Sequence, residues 1–355
     1  MRVGILSYAM LFQRDSGLQL QVRSTIAALR QLAVPGLEVE LVDTNRQRLD
    51  RYDVLHVFSA INGNVRVVEL AHELGVPVVL SALLAPGWSR SAGWRAGVAE
   101  QLTGRLTRWN VQTSYAQTKR ALQLAQLVIA ADEAEQDALI DGFKVAPARI
   151  HLLPNGVAER FFAADAQAFR RHTGLDGPFV LMAGSIAPYK HQQDLTRMLA
   201  TPELPVVLLG HARRQHQAYL QGLVAAPNVR WLGQLAHQDP LLASAYAAAS
   251  VLVLPSQGEA FPLPVLEALA TGTPVVMADD SPLHLPGSGF ALKQLRWSDT
   301  AALRLAIQAL VATPPPRAAV SALVQDFAWR RAALKIADCY QLLYQRRQHG
   351  AGHAV

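Results

Sequence analysis

Two glutamates in the second half of the chain have a spacing that suits ligand binding. Glu259 and Glu267 stand eight positions apart in the segment VLVLPSQGEAFPLPVLEALATGTPVVMA, residues 251–278. The segment has the pattern of a strand, a loop, a short helix and a strand. Pro264 suits the first helical turn and Gly272 the C-terminal cap. This pattern places Glu259 in a loop at the carboxyl end of a strand and predicts that Glu267 lies within the first turn of the helix.

Such a pair could recognise a sugar diol beside a diphosphate. A carboxylate at the start of a helix can accept two hydrogen bonds from a ribose diol, while loop amides and the helix N-terminus stabilise a diphosphate. The alternative is structural: Glu267 only caps its helix, and Glu259 is a solvated loop charge. Two glutamates by themselves do not distinguish these alternatives.

A second candidate is the loop AGSIAPYK at residues 183–190, which follows an apolar strand-like run. Its Lys190 is a compact point charge that suits a phosphate group. The loop is not a P-loop, because Tyr189 stands where a second glycine is required and His191 where serine or threonine is required. An ordinary surface lysine is the alternative interpretation.

The first half of the chain offers weaker candidates. Gly17 follows Asp15 and Ser16 at the predicted start of a helix, where it would let a phosphate or an acceptor approach the backbone closely. An ordinary turn is the alternative. His56 lies on a predicted strand, and we expect a core or strand-end histidine there rather than a catalytic contact.

The elements that position these residues alternate between strands and helices. Continuous apolar strands separated by helices predict parallel sheets covered on both faces, which is the α/β class. We predict two doubly wound domains, residues 1–162 and 163–328, with a C-terminal helix over 329–355 that crosses back to the first domain. Ligands of such sheets bind beyond the carboxyl ends of the strands. The predicted strands are 2–8, 38–42, 54–58, 76–80, 127–131, 150–153, 179–183, 206–209, 229–232, 251–254 and 274–278.

Composition limits the class of protein. The chain of 355 residues is 51% hydrophobic and 17% charged, so it can bury full cores and is not disordered. It has no apolar run of the roughly 20 residues that a membrane-spanning helix needs. Its one cysteine, Cys339, and an N-terminus without a signal-peptide pattern fit a cytoplasmic protein, soluble or bound at a membrane surface.

The segment from Trp88 to Arg120 is strongly basic and also carries Trp94 and Trp109. Residues 88–120 contain six basic residues and one acidic residue, Glu100, which gives the segment a net charge of 6 − 1 = +5. Basic residues with tryptophans suit an anionic membrane surface at which the protein would bind peripherally. The alternative is a solvated helix face with its tryptophans turned to the core. Nucleic acid is disfavoured, because no recognition motif is present. The basic residues are Arg90, Arg95, Arg105, Arg108, Lys119 and Arg120.

The segment 251–278 resembles the donor-site signature P-S-x-x-E-G-F-G/P-L-P-x-L-E-A-M-A-x-G-x-P-V-V of the retaining family-4-type glycosyltransferases of the GT-B fold (glycosyl transferases group 1). The resemblance extends to Asn228–Gly233, similar to the family's N-V-x-F-L-G, and to Leu153–Val157 before the interdomain linker. Residues 183–190 resemble the family's G-R/S/T-x-x-x-x-K. The matching residues of the signature are Pro255, Ser256, Glu259, Phe261, Leu263, Pro264, Leu266, Glu267, Ala268, Ala270, Gly272, Pro274, Val275 and Val276.

The resemblance implies two Rossmann-like domains facing a cleft that holds a nucleotide-diphosphate sugar. By resemblance, Glu267 holds the ribose, Glu259 contacts the hydroxyls of the donor sugar, and Lys190 contacts the diphosphate. Gly184 and Ser185 belong to the lysine's loop. The backbone around Phe261, Pro262 and Leu263 would face the diphosphate, although Pro262 has no N–H to donate. Gly17 stands where the family has a glycine-rich loop.

Two departures from the family concern charge and proton chemistry. The family commonly has an arginine next to the glycine or just before the lysine, where this chain has Ser185 and Tyr189. Arg213 or Arg214 could supply the missing charge. The histidine that family members often carry after the fourth or fifth strand of the first domain is also absent.

The function that the resemblance implies is a retaining glycosyltransferase that moves a sugar to a hydroxyl of a glycan, a glycolipid or a small molecule. We expect no metal cofactor, because the chain has no Asp-x-Asp and no Cys/His cluster. The main alternative is a non-catalytic nucleotide-sugar-binding partner subunit. A hydrolase or epimerase of the same fold would need further acid and base residues, and a dinucleotide oxidoreductase would need a Gly-x-Gly-x-x-Gly after the first strand.

Overall fold

The structure is a computed structural model that describes the residues outside 9, 12–16, 62, 85–87, 107–112, 200–203, 257–261, 282 and 352–355. The side chains of residues 101–106, 350 and 351 are also not described. The chain divides into two compact units, residues 1–156 with 329–355, and residues 157–328.

Strands and helices alternate along the described chain. The strands are β1 Arg2–Leu6, β2 Glu38–Leu41, β3 Val54–Phe58, β4 Val78–Ser81, β5 Leu127–Ala130, β6 Ile150–Leu152, β7 Val180–Ala183, β8 Val206–Leu209, β9 Val229–Trp231, β10 Val251–Leu254, β11 Val275–Ala278 and β12 Leu292–Leu295. The helices are α1 Gly17–Gln31, α2 Val65–Glu73, α3 Arg90–Leu106, α4 Ser114–Leu124, α5 Glu133–Asp137, α6 Glu159–Phe162, α7 Gln167–Thr173, α8 Gln192–Met198, α9 Gln217–Val224, α10 Pro240–Ala248, α11 Leu263–Ala270, α12 Thr300–Ala312, α13 Arg317–Ala322 and α14 Trp329–Ala351.

The first unit is a parallel sheet with the strand order β2-β1-β3-β4-β5-β6. Its inner strands β3, β4 and β5, and β1 beyond Arg2, are buried on both faces because helices cover each side, which explains why they appear as continuous apolar runs in the sequence. One face packs against α1 and α14, where Ile336 and Leu343 join the core that contains Val3 and Ile5. The C-terminal helix is therefore part of the first unit.

The second unit is a parallel sheet with the strand order β12-β11-β10-β7-β8-β9. Its core lies on both faces of this sheet, and the strands β7, β8, β10 and β11 have almost no exposed surface. Strand β12 was not predicted. Lys293 and Gln294 interrupt its apolar pattern, and it pairs only with β11 at the sheet's edge.

The two doubly wound parallel sheets confirm the predicted α/β class. The division between the units lies between Gly156 and Val157 rather than between residues 162 and 163. Residues 157–162 belong to the second unit because Val157 and Phe161 are buried in its core. Phe161 has no exposed surface.

The prediction that His56 is a core histidine is confirmed. Its ring on β3 is fully buried, with Nδ1 2.7 Å from the Tyr340 hydroxyl on α14 and Nε2 2.9 Å from the Ser81 hydroxyl on β4. Burial lowers the pKa of His56 to about 3, so the imidazole is neutral in the folded chain. This histidine joins the C-terminal helix to the first sheet and leaves no nitrogen for catalysis.

The low pKa of His56 predicts a loss of stability in acid. Below the unfolded pKa of roughly 6.5, the unfolded chain takes up a proton that the folded chain cannot hold, so protons favour unfolding until the pH approaches the folded pKa. We expect the His56 contribution to the free energy of unfolding to fall by about 2 kcal/mol between pH 6.5 and pH 5.

Chemical denaturation of the parent and of His56→Gln over this pH range checks the prediction. The difference between the two chains isolates the histidine, which matters because burial raises the pKa of Glu135 to about 6, and that carboxyl group stabilises the fold as the pH falls. A difference that does not change with pH would contradict the neutral, buried imidazole.

Candidate functional site

The second sheet has a point at which the winding direction reverses. From β7 the chain adds β8 and β9 on one side, then returns to place β10 directly beside β7 on the other side. Val251 and Leu252 pair with Val180 and Leu181 in a parallel arrangement, so the carboxyl ends of β10 and β7 lie side by side. The loops after β7 and β10 leave in opposite directions at this switch point, which opens a crevice where such sheets bind ligands.

The loop after β7 begins with a glycine whose backbone other residues rarely adopt. Gly184 has a φ of 144°, and the space where a Cβ would lie is empty. Ser185 follows it, and the buried Gln192 amide on α8 donates a hydrogen bond of 2.9 Å to the Ser185 carbonyl. A ligand can therefore approach the exposed backbone of Gly184 closely.

Lys190 carries the positive charge of this loop. It ends a short 3₁₀ turn over Pro188–Lys190, and its Nζ lies 3.4 Å from the Oγ of Ser256 and 5.4 Å from the centre of the Tyr189 ring. Ser256 is buried at the end of β10. The lysine thus joins the loops after β7 and β10, and Gly184, Ser185 and Ser256 line the same depression.

The residues at the family's arginine positions contact each other. The Ser185 and Tyr189 hydroxyls lie 3.0 Å apart, and Tyr189 is exposed. Arg213 and Arg214, the predicted replacements, follow Ala212, which pairs with Ile186 of the lysine's loop. Both arginines are exposed and lie on the loop that runs beside the candidate site.

Helix α11 begins and ends where the sequence indicates, but Glu267 lies deeper in it than predicted. The helix starts at Leu263, so Glu267 is its fifth residue, in the second turn rather than the first. Gly272 closes the helix with a φ of 82°, and Gly272 and Thr273 donate hydrogen bonds to Leu269 and Ala268. This closure is a Schellman cap.

Glu267 is a buried carboxylate with two polar side-chain neighbours. Its Oε1 lies 2.6 Å from the Nε2 of His237, and only 6% of its side chain is exposed. Tyr246, buried on α10, lies beside Glu267, and burial together with this carboxylate raises the pKa of the Tyr246 phenol well above its ordinary value. These contacts, rather than the free N–H groups of the helix start, hold the Glu267 carboxylate.

Arg160 on α6 extends this group. Its Nη2 lies 2.8 Å from the Nδ1 of His237 and donates a 2.7 Å hydrogen bond to the His237 carbonyl. Burial lowers the pKa of the Arg160 guanidinium, and the charge of Glu267 opposes this shift. Arg160, His237, Glu267 and Tyr246 form a connected polar group within the second unit.

The other predicted site residues have different placements. Glu259 and Phe261 lie outside the described residues, as do Asp15 and Ser16 before Gly17. Gly17 is the exposed first residue of α1 in the first unit. Pro262 precedes α11 and accepts a 3.0 Å hydrogen bond from the Val265 N–H, and Leu263 begins the helix.

Sequence reasoning missed the partners of Glu267. His237 stands 30 positions before Glu267 and Arg160 a further 77 positions before His237, so no local spacing links them. His237 follows the Asn228–Gly233 match without belonging to it. Within the described part of the chain, no group of three or more His, Cys, Asp or Glu could hold a metal ion.

The basic segment divides between its two interpretations. Trp88 turns inward, 4.8 Å from the Phe143 ring and 5.5 Å from the Tyr115 ring, as in the core interpretation. Trp94 on α3 is 70% exposed, and Val98 one turn later is also exposed. Arg108, Trp109 and the side chain of Arg105 are not described. None of the helices within the described residues is long and apolar enough to cross a membrane.

Comparison with known proteins agrees with this architecture. A model described as "Glycosyl transferase 4-like domain" matches residues 9–156, and one described as "Glycosyl transferases group 1" matches residues 165–284. Together the matches run from residue 9 to residue 284, interrupted only at residues 157–164. The chain belongs to the group 1 glycosyltransferases.

Curated relatives and solved structures support the same assignment. The chain is 39% identical over 167 residues to a D-inositol 3-phosphate glycosyltransferase of Geodermatophilus obscurus, covering 42% of this chain and 36% of that protein. It is 31% identical over 244 residues to the protein of the same name from Stackebrandtia nassauensis, covering 60% and 53%. The chain thus spans between about a third and about half of the length of these relatives.

The crystal structure of Anabaena Alr3699/HepE in complex with UDP matches with a TM-score of 0.71 and 19% identity. The match covers 96% of this chain and 100% of that chain. This likeness shows the GT-B fold that the sequence predicted.

The position of Lys190 predicts a charge-specific effect of its removal. Lys190→Ala should weaken binding of a nucleoside diphosphate at least about tenfold, because hydrogen bonds to charged groups contribute roughly 1.5–3 kcal/mol. Binding of the corresponding nucleoside, which has no phosphate, should change little. Calorimetric titration of both ligands checks the prediction, with Lys335→Ala on the exposed face of α14 as the matched control. Equal losses for the two ligands would contradict a phosphate contact.

Proposed function

We propose that the chain is a glycosyltransferase that moves a sugar from a nucleotide-diphosphate donor to a hydroxyl acceptor. The main support for this proposal is the contact between Lys190 and Ser256 at the switch point of the second sheet, beside the exposed backbone of Gly184. The diphosphate would lie in this crevice and the ribose at Glu267, the assignment that family membership supports.

The chemistry of sugar transfer suits these groups. The bond between the anomeric carbon and the diphosphate oxygen breaks, and negative charge builds on the leaving diphosphate. Lys190 and the Gly184 backbone are already in place before that charge develops, so they stabilise the transition state without reorganisation. Arg213 and Arg214 would add positive charge from the neighbouring loop.

We further propose that transfer retains the anomeric configuration and needs no metal. In the front-face mechanism usually given for the family, the acceptor oxygen bonds to the anomeric carbon on the face that the diphosphate leaves. The acceptor proton passes to a leaving phosphate oxygen. Lys190 would take the charge-neutralising role that a divalent cation has in other transferases. Glu259, by resemblance, would hold the donor sugar's hydroxyls.

The proposed acceptor is a hydroxyl group. The curated relatives are named for transfer to D-inositol 3-phosphate, and we propose a phosphorylated polyol as the first acceptor to test. UDP, the ligand in the matched Anabaena structure, is the first donor nucleotide to test. The alternative function, a nucleotide-sugar-binding subunit, would bind a donor without transferring its sugar.

A thermal-shift panel of UDP-, GDP- and ADP-sugars should identify the donor, because a ligand that binds only the folded state raises the melting temperature. Transfer is then measured by mass spectrometry with inositol 3-phosphate, simple sugars and a glycolipid mixture, in the presence of EDTA. We expect a product with the donor's anomeric configuration. Glu267→Ala should weaken donor binding, and Glu259→Ala should lower turnover more than it lowers nucleotide affinity.

The outcomes separate the two functions. Donor binding without transfer to any acceptor would support the subunit, and the absence of binding by any nucleotide sugar would contradict both. Transfer at the parent rate by both glutamate variants would contradict the site assignment. Loss of activity in EDTA that Mg²⁺ restores would overturn the metal-independent proposal alone.

We also propose that α3 binds an anionic membrane surface. Arg90, Trp94 and Val98 follow at four-residue intervals, which places them along one face of the helix. All three are exposed, and Arg95 adds an exposed positive charge beside them. Tryptophan at the headgroup level with arginines around it is the composition of a peripheral membrane contact.

Vesicle co-sedimentation tests this proposal. The chain should bind vesicles of phosphatidylcholine with phosphatidylglycerol but not phosphatidylcholine alone, and salt should weaken the binding. Replacing Arg95 by glutamine should lower the partition coefficient about fivefold, at roughly 1 kcal/mol per basic residue. Replacing Arg90, which pairs with Asp141 at 3.0 Å, should lower it less. Trp94→Ser should also weaken binding, whereas Leu305→Ser, at an exposed position on α12, should not. Binding unaffected by the arginine substitutions would contradict the proposal.

A further inference from the structure

The ribose carboxylate proposed above has an unusual neighbour. His237 lies on the loop between β9 and α10, and its Nε2 is 2.6 Å from Glu267 Oε1. About a fifth of the His237 side chain is exposed, at 20%, whereas Glu267 is almost fully buried. The histidine therefore contacts both the carboxylate and the solvent side of the group.

Arg160 determines which nitrogen of His237 carries the proton. A guanidinium has only donors, and its Nη2 lies nearer to Nδ1, at 2.8 Å, than to Nε2, at 3.5 Å, so we infer that Nδ1 accepts. With Nδ1 accepting, the ring N–H is Nε2–H, which lies 2.6 Å from Glu267 Oε1 and can donate to it. The same Nη2 is anchored by the His237 carbonyl at 2.7 Å, which fixes the distance between the arginine and the ring.

The ring itself is held by packing. The His237 and Phe161 ring centres lie 5.8 Å apart, and the Arg160 guanidinium lies 4.8 Å from the Phe161 ring centre. Phe161 is fully buried in the core of the second unit. Contacts with Arg160 and Phe161 thus hold the imidazole, and the imidazole in turn holds Oε1 of Glu267.

We propose that His237, in the tautomer set by Arg160, is a positioning residue that orients the Glu267 carboxylate toward the ribose hydroxyls of the donor. This inference rests on the proposed function. A carboxylate has about four lone-pair positions, and His237 occupies one of them, so the remaining positions can accept from a vicinal diol. A carboxylate that its neighbours already hold in place loses less conformational entropy when the ligand binds.

The proposal predicts an effect on ribose recognition rather than on phosphate recognition. Calorimetric titration with UDP, GDP and ADP first selects the nucleotide that the parent chain binds, and its 2′-deoxy analogue is then titrated. His237→Phe keeps the ring against Phe161 but removes the N–H. It should lower the preference for the ribonucleotide over the deoxyribonucleotide about tenfold, the size of effect expected for a hydrogen bond to a charged group.

Two further variants and one control sharpen the test. His237→Gln retains an amide N–H near the Nε2 position and should restore most of the preference. Arg160→Met removes the partner of Nδ1 and should lower the preference for the ribonucleotide without altering the histidine. This variant also tests the proposal if His237→Phe does not fold. His172→Phe, at an exposed histidine on α7 of the same unit, is the control and should leave the preference unchanged.

A spectroscopic measurement addresses the tautomer directly. The ¹⁵N spectrum of the parent chain should show His237 protonated on Nε2 and unprotonated on Nδ1, and Arg160→Met should change this distribution. A parent ring protonated on Nδ1 would overturn the proposed role of Arg160.

The outcomes distinguish this inference from the function on which it rests. If the parent binds none of the nucleotides, the proposed function fails and this inference fails with it. If Glu267→Ala lowers the ribose preference but His237→Phe only lowers the melting temperature, His237 is merely structural and this inference alone is overturned. If Glu267→Ala leaves the preference unchanged, the assignment of Glu267 to the ribose is wrong.

Discussion

The parallel pairing of β7 with β10 is the constraint on which the candidate site depends. Because Leu181 stands opposite Leu252, both strands end at one edge of the sheet, and their loops leave side by side. Lys190 of one loop then meets Ser256 of the other, although 66 positions separate them in the chain. A charge held beside exposed backbone at this edge is what a diphosphate requires, and α11 with Glu267 follows directly after the second loop.

Much of the fold was predictable because the buried strands of a doubly wound sheet are continuous apolar runs. The eleven predicted strands are present in the described residues with ends that differ by at most two residues. Strand β12 was missed since Lys293 and Gln294 give an edge strand no apolar signature. The second unit begins at Val157 because burial of Phe161, a property of the folded core, determines its limit.

The candidate site was predictable only where its residues lie within a short motif. Gly184, Ser185 and Lys190 share the loop after β7, and Glu267 follows the adjacent loop, after β10. The contact between His237 and Glu267 joins the loop before α10 to α11, and no spacing in the sequence indicates such a contact. Glu267 was predicted within the first helical turn but lies just beyond it, because Pro264 is the second residue of α11 and the helix already begins at Leu263.

The proposed function places the donor's diphosphate at the switch point of the second sheet. A crystal structure of the chain with a bound nucleoside diphosphate tests it most directly. We expect phosphate oxygens within hydrogen-bond distance of Lys190 Nζ and of the backbone at Gly184, with both ribose hydroxyls at the Glu267 carboxylate. A nucleotide bound elsewhere on the second unit, or one whose ribose makes no contact with Glu267, would contradict it.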